Sequence, residues 1–169
     1  MSQADLNIRP MRLEDIDQVH ALEMAIFPTP WSRNSYVFEI EQNSASHQWV
    51  VESQPGGQIA AYIVCWLLGG DELHIANIAV APGFRRQGLG RGLLAHVLAA
   101  GAELGAQSAA LEVRASNLAA QQLYTEFGFE VVAVRKGYYQ DNHEDALLLH
   151  LPSLKAYATH QTSQTPLDF

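Results

Sequence analysis

The sequence is poor in several things. It has one cysteine, Cys65, among 169 residues. No disulfide can form within the chain, and a reducing compartment, the cytoplasm, is the expectation. Charged residues make up 17%, below the roughly 25% usual for soluble domains. Bases are scarcer still: 10 Lys+Arg stand against 18 Asp+Glu, for a formal net charge of −8. That balance argues against direct nucleic-acid binding, which needs a basic face to neutralise phosphates. The apolar run Ile59 to Leu68 has ten residues, too few for the ~20 that a membrane-spanning helix needs. The start, Met1-Ser2-Gln3-Ala4-Asp5, lacks the basic-then-apolar pattern of a secretion signal. Neither an internal repeat nor a long linker is visible. The seven histidines show no metal-ligand spacing and Cys65 has no partner, so no metal is expected. A Gly-x-Ser-x-Gly nucleophile elbow is missing. Trp31, Trp49 and Trp66 are too spread out for a base-stacking platform and read as core or wall.

What is present is enough apolar material for one domain with a core, at 48% hydrophobic. The charge is uneven. Residues 1–82 carry three bases against ten acids. Residues 83–136 carry six bases against four acids, and residues 137–169 one base against four. A small positive island in an acidic chain suggests a site for an anion, with a chance distribution as the bland alternative.

The pattern of elements is readable. Leu6 to Met11 predicts a strand. Leu13 to Ile26 predicts a helix, with Ile16, Val19, His20, Leu22 and Ile26 at helical spacing and Glu14, Asp15 and Asp17 in its first turn. Pro28 and Pro30 end it, and Ser32 can cap a helix from Arg33 to about Glu41. His47 to Ser53, Gln58 to Leu68 and Leu73 to Val80 predict strands, parted by glycine-bearing turns. Gly88 to Leu104 is the clearest helix, with Leu93, Leu94, Val97, Leu98 and Leu104 as its apolar stripe. A strand over Ser108 to Val113, a helix over Asn117 to Phe127 stopped at Gly128, and strands over Phe129 to Arg135 and Ala146 to Leu151 complete the series. The order β-α-α-β-β-β-α-β-α-β-β predicts an α/β or α+β domain with a mixed sheet. It fills residues 1–152, and 153–169 is expected to be a polar, frayed tail.

The segment Arg85-Arg86-Gln87-Gly88-Leu89-Gly90-Arg91-Gly92 lies between a predicted strand and a predicted helix. Glycines let backbone N–H groups point into one concavity, and the helix start and three arginines add positive charge. Together these suit a pyrophosphate, with a solvated glycine turn as the alternative. A Walker loop is excluded, because Leu89 and Gly90 stand where Lys and Ser/Thr are needed. A dinucleotide fingerprint is excluded, because Leu93 stands where its third glycine belongs.

Arg85-x-x-Gly88-x-Gly90 resembles the acyl-CoA pyrophosphate loop of the GNAT acetyltransferase superfamily. Asn77-Ile78-Ala79-Val80 looks like that family's fourth strand. Leu111-Glu112-Val113-Arg114-Ala115-Ser116-Asn117 and Leu123-Tyr124-x-x-Phe127-Gly128-Phe129 resemble the RimI subgroup. So do Phe27-Pro28-Thr29-Pro30-Trp31-Ser32 and Tyr138-Tyr139 with Glu144-Asp145-Ala146. That subgroup acetylates the N-terminal alanine of small-subunit ribosomal protein eighteen. The resemblance covers about residues 6–152 and implies a GNAT fold. That fold has a mixed, mostly antiparallel sheet of about seven strands flanked by about four helices. It implies acetyl-CoA as cosubstrate, held by Arg85, Arg86, Gln87, Gly88, Leu89, Gly90, Arg91 and Asn117. Backbone N–H groups at Ile78, Ala79 and Val80 would polarise the acetyl carbonyl. Gln87 departs from the basic residue found there in many members.

The same resemblance assigns Glu112 as general base, directly or through water, and Tyr124 as general acid. A desolvated Glu112 has a raised pKa and serves as a base; a solvent-facing or arginine-paired Glu112 does not. Tyr124 can equally be a packing tyrosine, and Asn117 a helix cap. His143-Glu144-Asp145 reads as a solvated turn that could frame a peptide.

An α-amine has a pKa of ~7.7–8.0 and a lysine amine ~10.4, so deprotonating lysine costs about 3.5 kcal/mol more. An N-terminal acceptor is therefore favoured. Glu39, Glu41, Asp71, Glu72, Asp141, Glu144 and Asp145 are candidates for attracting a basic peptide. A monomer or weak dimer is expected. Two other readings share the loop. One is a GNAT enzyme acting on internal lysines or a small amine. The other is a CoA-binding module without catalysis, which needs neither Glu112 nor Tyr124.

Overall fold

The computed structural model describes residues 5–158. The strands are β1 (Asp5–Pro10), β2 (Ser46–Gln54), β3 (Gln58–Leu68), β4 (Glu72–Val80), β5 (Ser108–Arg114), β6 (Glu130–Arg135) and β7 (Ala146–Leu151). The helices are α1 (Ile16–Ile26), α2 (Arg33–Glu41), α3 (Leu89–Glu103) and α4 (Leu118–Glu126). The strand order is β1-β2-β3-β4-β5-β7-β6. β4 and β5 are parallel; β1–β2, β2–β3, β5–β7 and β6–β7 are antiparallel. This is the mixed sheet that the element order predicts, and the mostly antiparallel arrangement with four helices that the resemblance implies. Among the described residues, no helix is long and apolar enough to cross a membrane.

The chain divides into two compact units, one of residues 5–66 and 77–96, the other of 67–76 and 97–158. In the first unit, β3 is buried from Ile59 through Cys65. An unbroken apolar run is what a strand covered on both faces requires. Burial pushes the Cys65 thiol up to about 12, which leaves it inert. The helix predicted from Leu13 begins instead with a 3-10 turn, Leu13–Asp15. Asp15 is the reason: its carboxylate accepts from Arg12 N at 2.8 Å and binds Arg9 at 2.7 Å, which fixes the entry to α1. Ser32 caps α2 as expected, its Oγ accepting from Ser35 N at 3.1 Å.

In the second unit, Leu111, Val113, Leu149 and Leu151 form a core with the C-terminal part of α3. Helix and sheet approach closely at Gly101, where a Cβ would lie 2.8 Å from Leu73 Cδ2. Leu104 departs from the predicted stripe: it lies past the end of α3 and is exposed. The chain also keeps packing beyond β7. Leu154 is buried, its N–H donates to Gln107 O at 2.9 Å, and Tyr157 stacks on Phe127. Leu154 and Tyr157 thus anchor residues 153–158, where fraying was expected, while Ser153, Lys155, Ala156 and Ala158 are exposed. The rest of the expected tail lies outside the described residues.

Candidate active site

Each unit gathers its own set of the predicted residues. The first unit holds Ile78, Ala79, Val80 and the loop from Arg85 to Arg91. β4 pairs with β5 over Glu72–Ile75 and then continues to Val80. Arg85 Nε donates to Val80 O at 3.2 Å, folding the loop back on the strand. Arg86 has φ 61 and Gly88 φ 82. Left-handed positions on either side of Gln87 turn successive N–H groups to one side, the geometry of an anion nest. Gly92 N bonds to Gly88 O at 2.9 Å, so α3 starts with its first amides aimed at the loop mouth. Arg85, Arg86, Gln87 and Arg91 are exposed. Arg86 makes no hydrogen bond or ion pair with the other described residues, so its charge is available to a ligand. The Leu89 side chain is buried in the core, so its backbone is the part that can face a cofactor.

The second unit holds Glu112, Asn117 and Tyr124. On β5, alternation puts Glu112 on the face of Ala110, and parallel pairing places His74 of β4 beside Ala110. His74 Nε2 therefore reaches Glu112 Oε2 at 3.0 Å. Arg135 of β6 reaches Oε1 at 3.3 Å. The Glu112 side chain is only 12% exposed. Its pKa nevertheless departs from the expectation in sign. The His74 hydrogen bond holds the carboxyl below the usual carboxylate range, with Arg135 adding to it, against burial, which acts the other way. Glu112 is an anion at neutral pH, paired with a histidine and an arginine.

Tyr124 is buried, edge-on to Phe129 at 5.8 Å. Its hydroxyl has no hydrogen-bond partner among the described residues. Since no sealed side-chain polar atom there lacks a partner, this oxygen is the accessible end of a buried ring. Burial, with Tyr139 nearby, pushes its pKa up, so the phenol keeps its proton. Asn117 is the cap of α4, its Oδ1 accepting from Ala120 N at 3.2 Å. Its Nδ2 is left for a second partner.

The expected solvated turn at Glu144 and Asp145 is an anchored loop. Arg114 binds Asp141 at 2.9 Å and Glu144 at 3.1 Å, and its guanidinium lies 3.8 Å over the Tyr139 ring. Ser116 N donates to Glu144 at 2.7 Å. That bond, reinforced by Arg114, lowers the Glu144 pKa to about 2. Asp145 takes Lys136 at 2.8 Å. Three of the acids proposed to attract a basic peptide are thus already paired within the unit.

Sequence reasoning missed Glu23. It is 1% exposed, on the α1 face that also buries Ile16 and Val19. Its Oε1 accepts from Trp31 N at 2.8 Å. Its Oε2 accepts from Tyr36 OH at 2.8 Å, from Asn77 Nδ2 at 3.0 Å and from Tyr62 OH. One carboxylate thus ties α1, α2, β3, β4 and the Phe27–Ser32 connection together. The signal was in the sequence: positions 16, 19 and 23 share one helical face, and an acid there needs buried donors.

A model of the Acetyltransferase (GNAT) family matches residues 16–129, and the chain belongs to that family. A relative from Bacillus subtilis (strain 168), provisionally named a ribosomal protein bS18-alanine N-acetyltransferase, is 41% identical over 84% of this chain and 92% of its own. The crystal structure of the ribosomal-protein-S18-alanine N-acetyltransferase from Escherichia coli has a TM-score of 0.78. It is 33% identical and covers 88% of this chain and 94% of its own. Arabidopsis thaliana NAA60 in complex with acetyl-CoA shares the fold, with a TM-score of 0.76 at 18% identity, covering 86% and 97%.

Proposed function

We propose that the protein transfers acetyl from acetyl-CoA to the α-amine of an N-terminal alanine, with small-subunit ribosomal protein eighteen as acceptor in the cytoplasm. The observation that carries the acceptor is the 41% identity spanning 92% of the Bacillus relative. The pyrophosphate binds the Arg85–Arg91 loop and the first amides of α3, where the left-handed Arg86 and Gly88 aim N–H groups together. The acetyl carbonyl accepts from the backbone at Ile78–Val80, a reading supported by the end of the parallel ladder at Ile75. Asn117 Nδ2 is the remaining cofactor contact.

Transfer is direct, in a ternary complex. The amine nitrogen bonds to the carbonyl carbon, the carbon–sulfur bond breaks, and the amine proton passes to the Glu112–His74 pair. Tyr124 gives its phenolic proton to the departing thiolate. Even an unshifted glutamate lies roughly 3.5 pKa units below an α-ammonium, and Glu112 is lowered further. A carboxylate alone is then a poor proton sink, and the imidazole hydrogen-bonded to it shares the task.

Incubation with acetyl-CoA and a peptide beginning Ala-Arg is expected to release free thiol. A lysine peptide with a blocked N-terminus is expected to release none. Release with the lysine peptide alone, or with neither, overturns the reading.

A further inference from the structure

We infer that a recess beside α2 is a subsite for a cationic side chain of the acceptor, a guanidinium above all. The inference rests on the peptide acceptor proposed above. The recess has a volume of about 470 Å³ and is lined by Trp31, Ser35, Phe38, Glu39 and Trp66, among others, all in the first unit. The Trp31 and Trp66 rings lie at 6.2 Å, 15° from parallel. Indole faces attract cations, and a planar guanidinium stacks on them.

Glu39 supplies the charge. It is 7% exposed. Its Oε2 accepts from Trp66 Nε1 and Asn43 Nδ2, each at 2.9 Å. Its Oε1 accepts no hydrogen bond among the described residues, and no described cation pairs with Glu39. No sealed side-chain polar atom there lacks a partner, so Oε1 opens to solvent in the recess that Glu39 lines. A nearly buried carboxylate held only by two neutral donors leaves its charge uncompensated, and a cation with N–H donors completes it. By contrast, Asp141, Glu144 and Asp145 already have Arg114 and Lys136.

The recess is also wired to the transfer strand within its own unit. Trp31 N–H binds one oxygen of Glu23, and the other oxygen binds Asn77, next to Ile78. One carboxylate thus positions a recess wall and the residue preceding the proposed oxyanion contact.

The experiment is a citrulline scan. Citrulline keeps the shape of arginine and removes its charge. In an alanine-starting peptide with arginines at positions two to five, one replacement is expected to raise KM about tenfold with kcat within twofold. Glu39→Gln is expected to raise KM about tenfold for the arginine peptide and to leave the citrulline peptide unchanged. Calorimetric binding of the N-acetylated product peptide is expected to show the same coupling without turnover. If no alanine peptide is acetylated but this coupling holds, the proposed function fails and the subsite stands. Equal effects of Glu39→Gln on both peptides, or no position coupled to Glu39, overturn the subsite. So does Glu39-dependent binding of spermidine without coupling to any peptide. Trp66→Phe, which keeps a ring and removes the indole N–H, decides the question if Glu39→Gln does not fold. It is expected to weaken the arginine peptide selectively.

Discussion

Glu112 in the second unit faces His74 and Arg135, whereas Glu23 in the first meets only neutral donors: two phenols, an amide and a main-chain N–H. Both carboxylates are satisfied, but the two solutions permit different things. A carboxylate paired with an imidazole can exchange a proton with it and keeps an accessible edge. A carboxylate enclosed by four fixed donors from separate elements is a knot: without it Asn77 and Tyr36 keep only their 3.2 Å bonds to Tyr36 and Tyr62, and the Tyr62 hydroxyl and the Trp31 N–H lose their acceptor. The first arrangement suits chemistry, and the second suits holding parts in place.

Breaking the knot is expected to have the largest effect. Glu23→Ala leaves the buried Tyr62 hydroxyl and the Trp31 N–H without an acceptor and removes one bond each from Tyr36 and Asn77, and is expected to cost about 3–5 kcal/mol in denaturant unfolding. A loss below about 1 kcal/mol would refute the contrast with Glu112. Glu112→Gln is expected to do the reverse. Its kcat falls about 10²–10³-fold while stability changes by less than about 1 kcal/mol, read by steady-state kinetics and the same unfolding titration.

Acid sharpens the comparison further. The folded-state pKa of Glu112 lies below its unfolded value, so the native state favours the anion. Its stabilisation is complete above the unfolded value of ~4.3 and is lost as pH falls through the lower folded one. Below about pH 4.3 the wild type is therefore expected to lose more stability than Glu112→Gln. His74→Ala removes the main cause of the lowering, and is expected to move that loss to higher pH. The smallest effect is local: Asn117→Ala removes the α4 cap and is expected to cost about 1 kcal/mol, with a few-fold rise in KM for acetyl-CoA. An unchanged KM would remove Nδ2 from the cofactor contacts.

Much of this was legible in the sequence. Local signals placed the Arg85–Gly88 turn between β4 and α3, and alternation put Glu112 and Ala110 on one face. Alternation does not say which residues arrive from β4 and β6, and those neighbours, His74 and Arg135, decide the sign of the Glu112 shift. Glu23 is hidden from sequence reading for a similar reason. Its four donors sit 8 to 54 residues away along the chain, so no window of sequence contains them. Leu154 and Tyr157 look like part of a polar tail until Gln107 and Phe127 are seen beside them.

The loop between β6 and β7 carries a thermodynamic consequence. Arg114, Ser116 and Lys136 fasten Asp141, Glu144 and Asp145, so its conformational freedom is already surrendered in the free protein. A ligand that docks on this loop meets a surface that needs little further ordering, and its affinity is not diminished by that cost. With Glu144 ionised down to about pH 2, mild acidity does not loosen the clasp at that carboxylate. Binding there should keep its rate constants as pH falls toward 5.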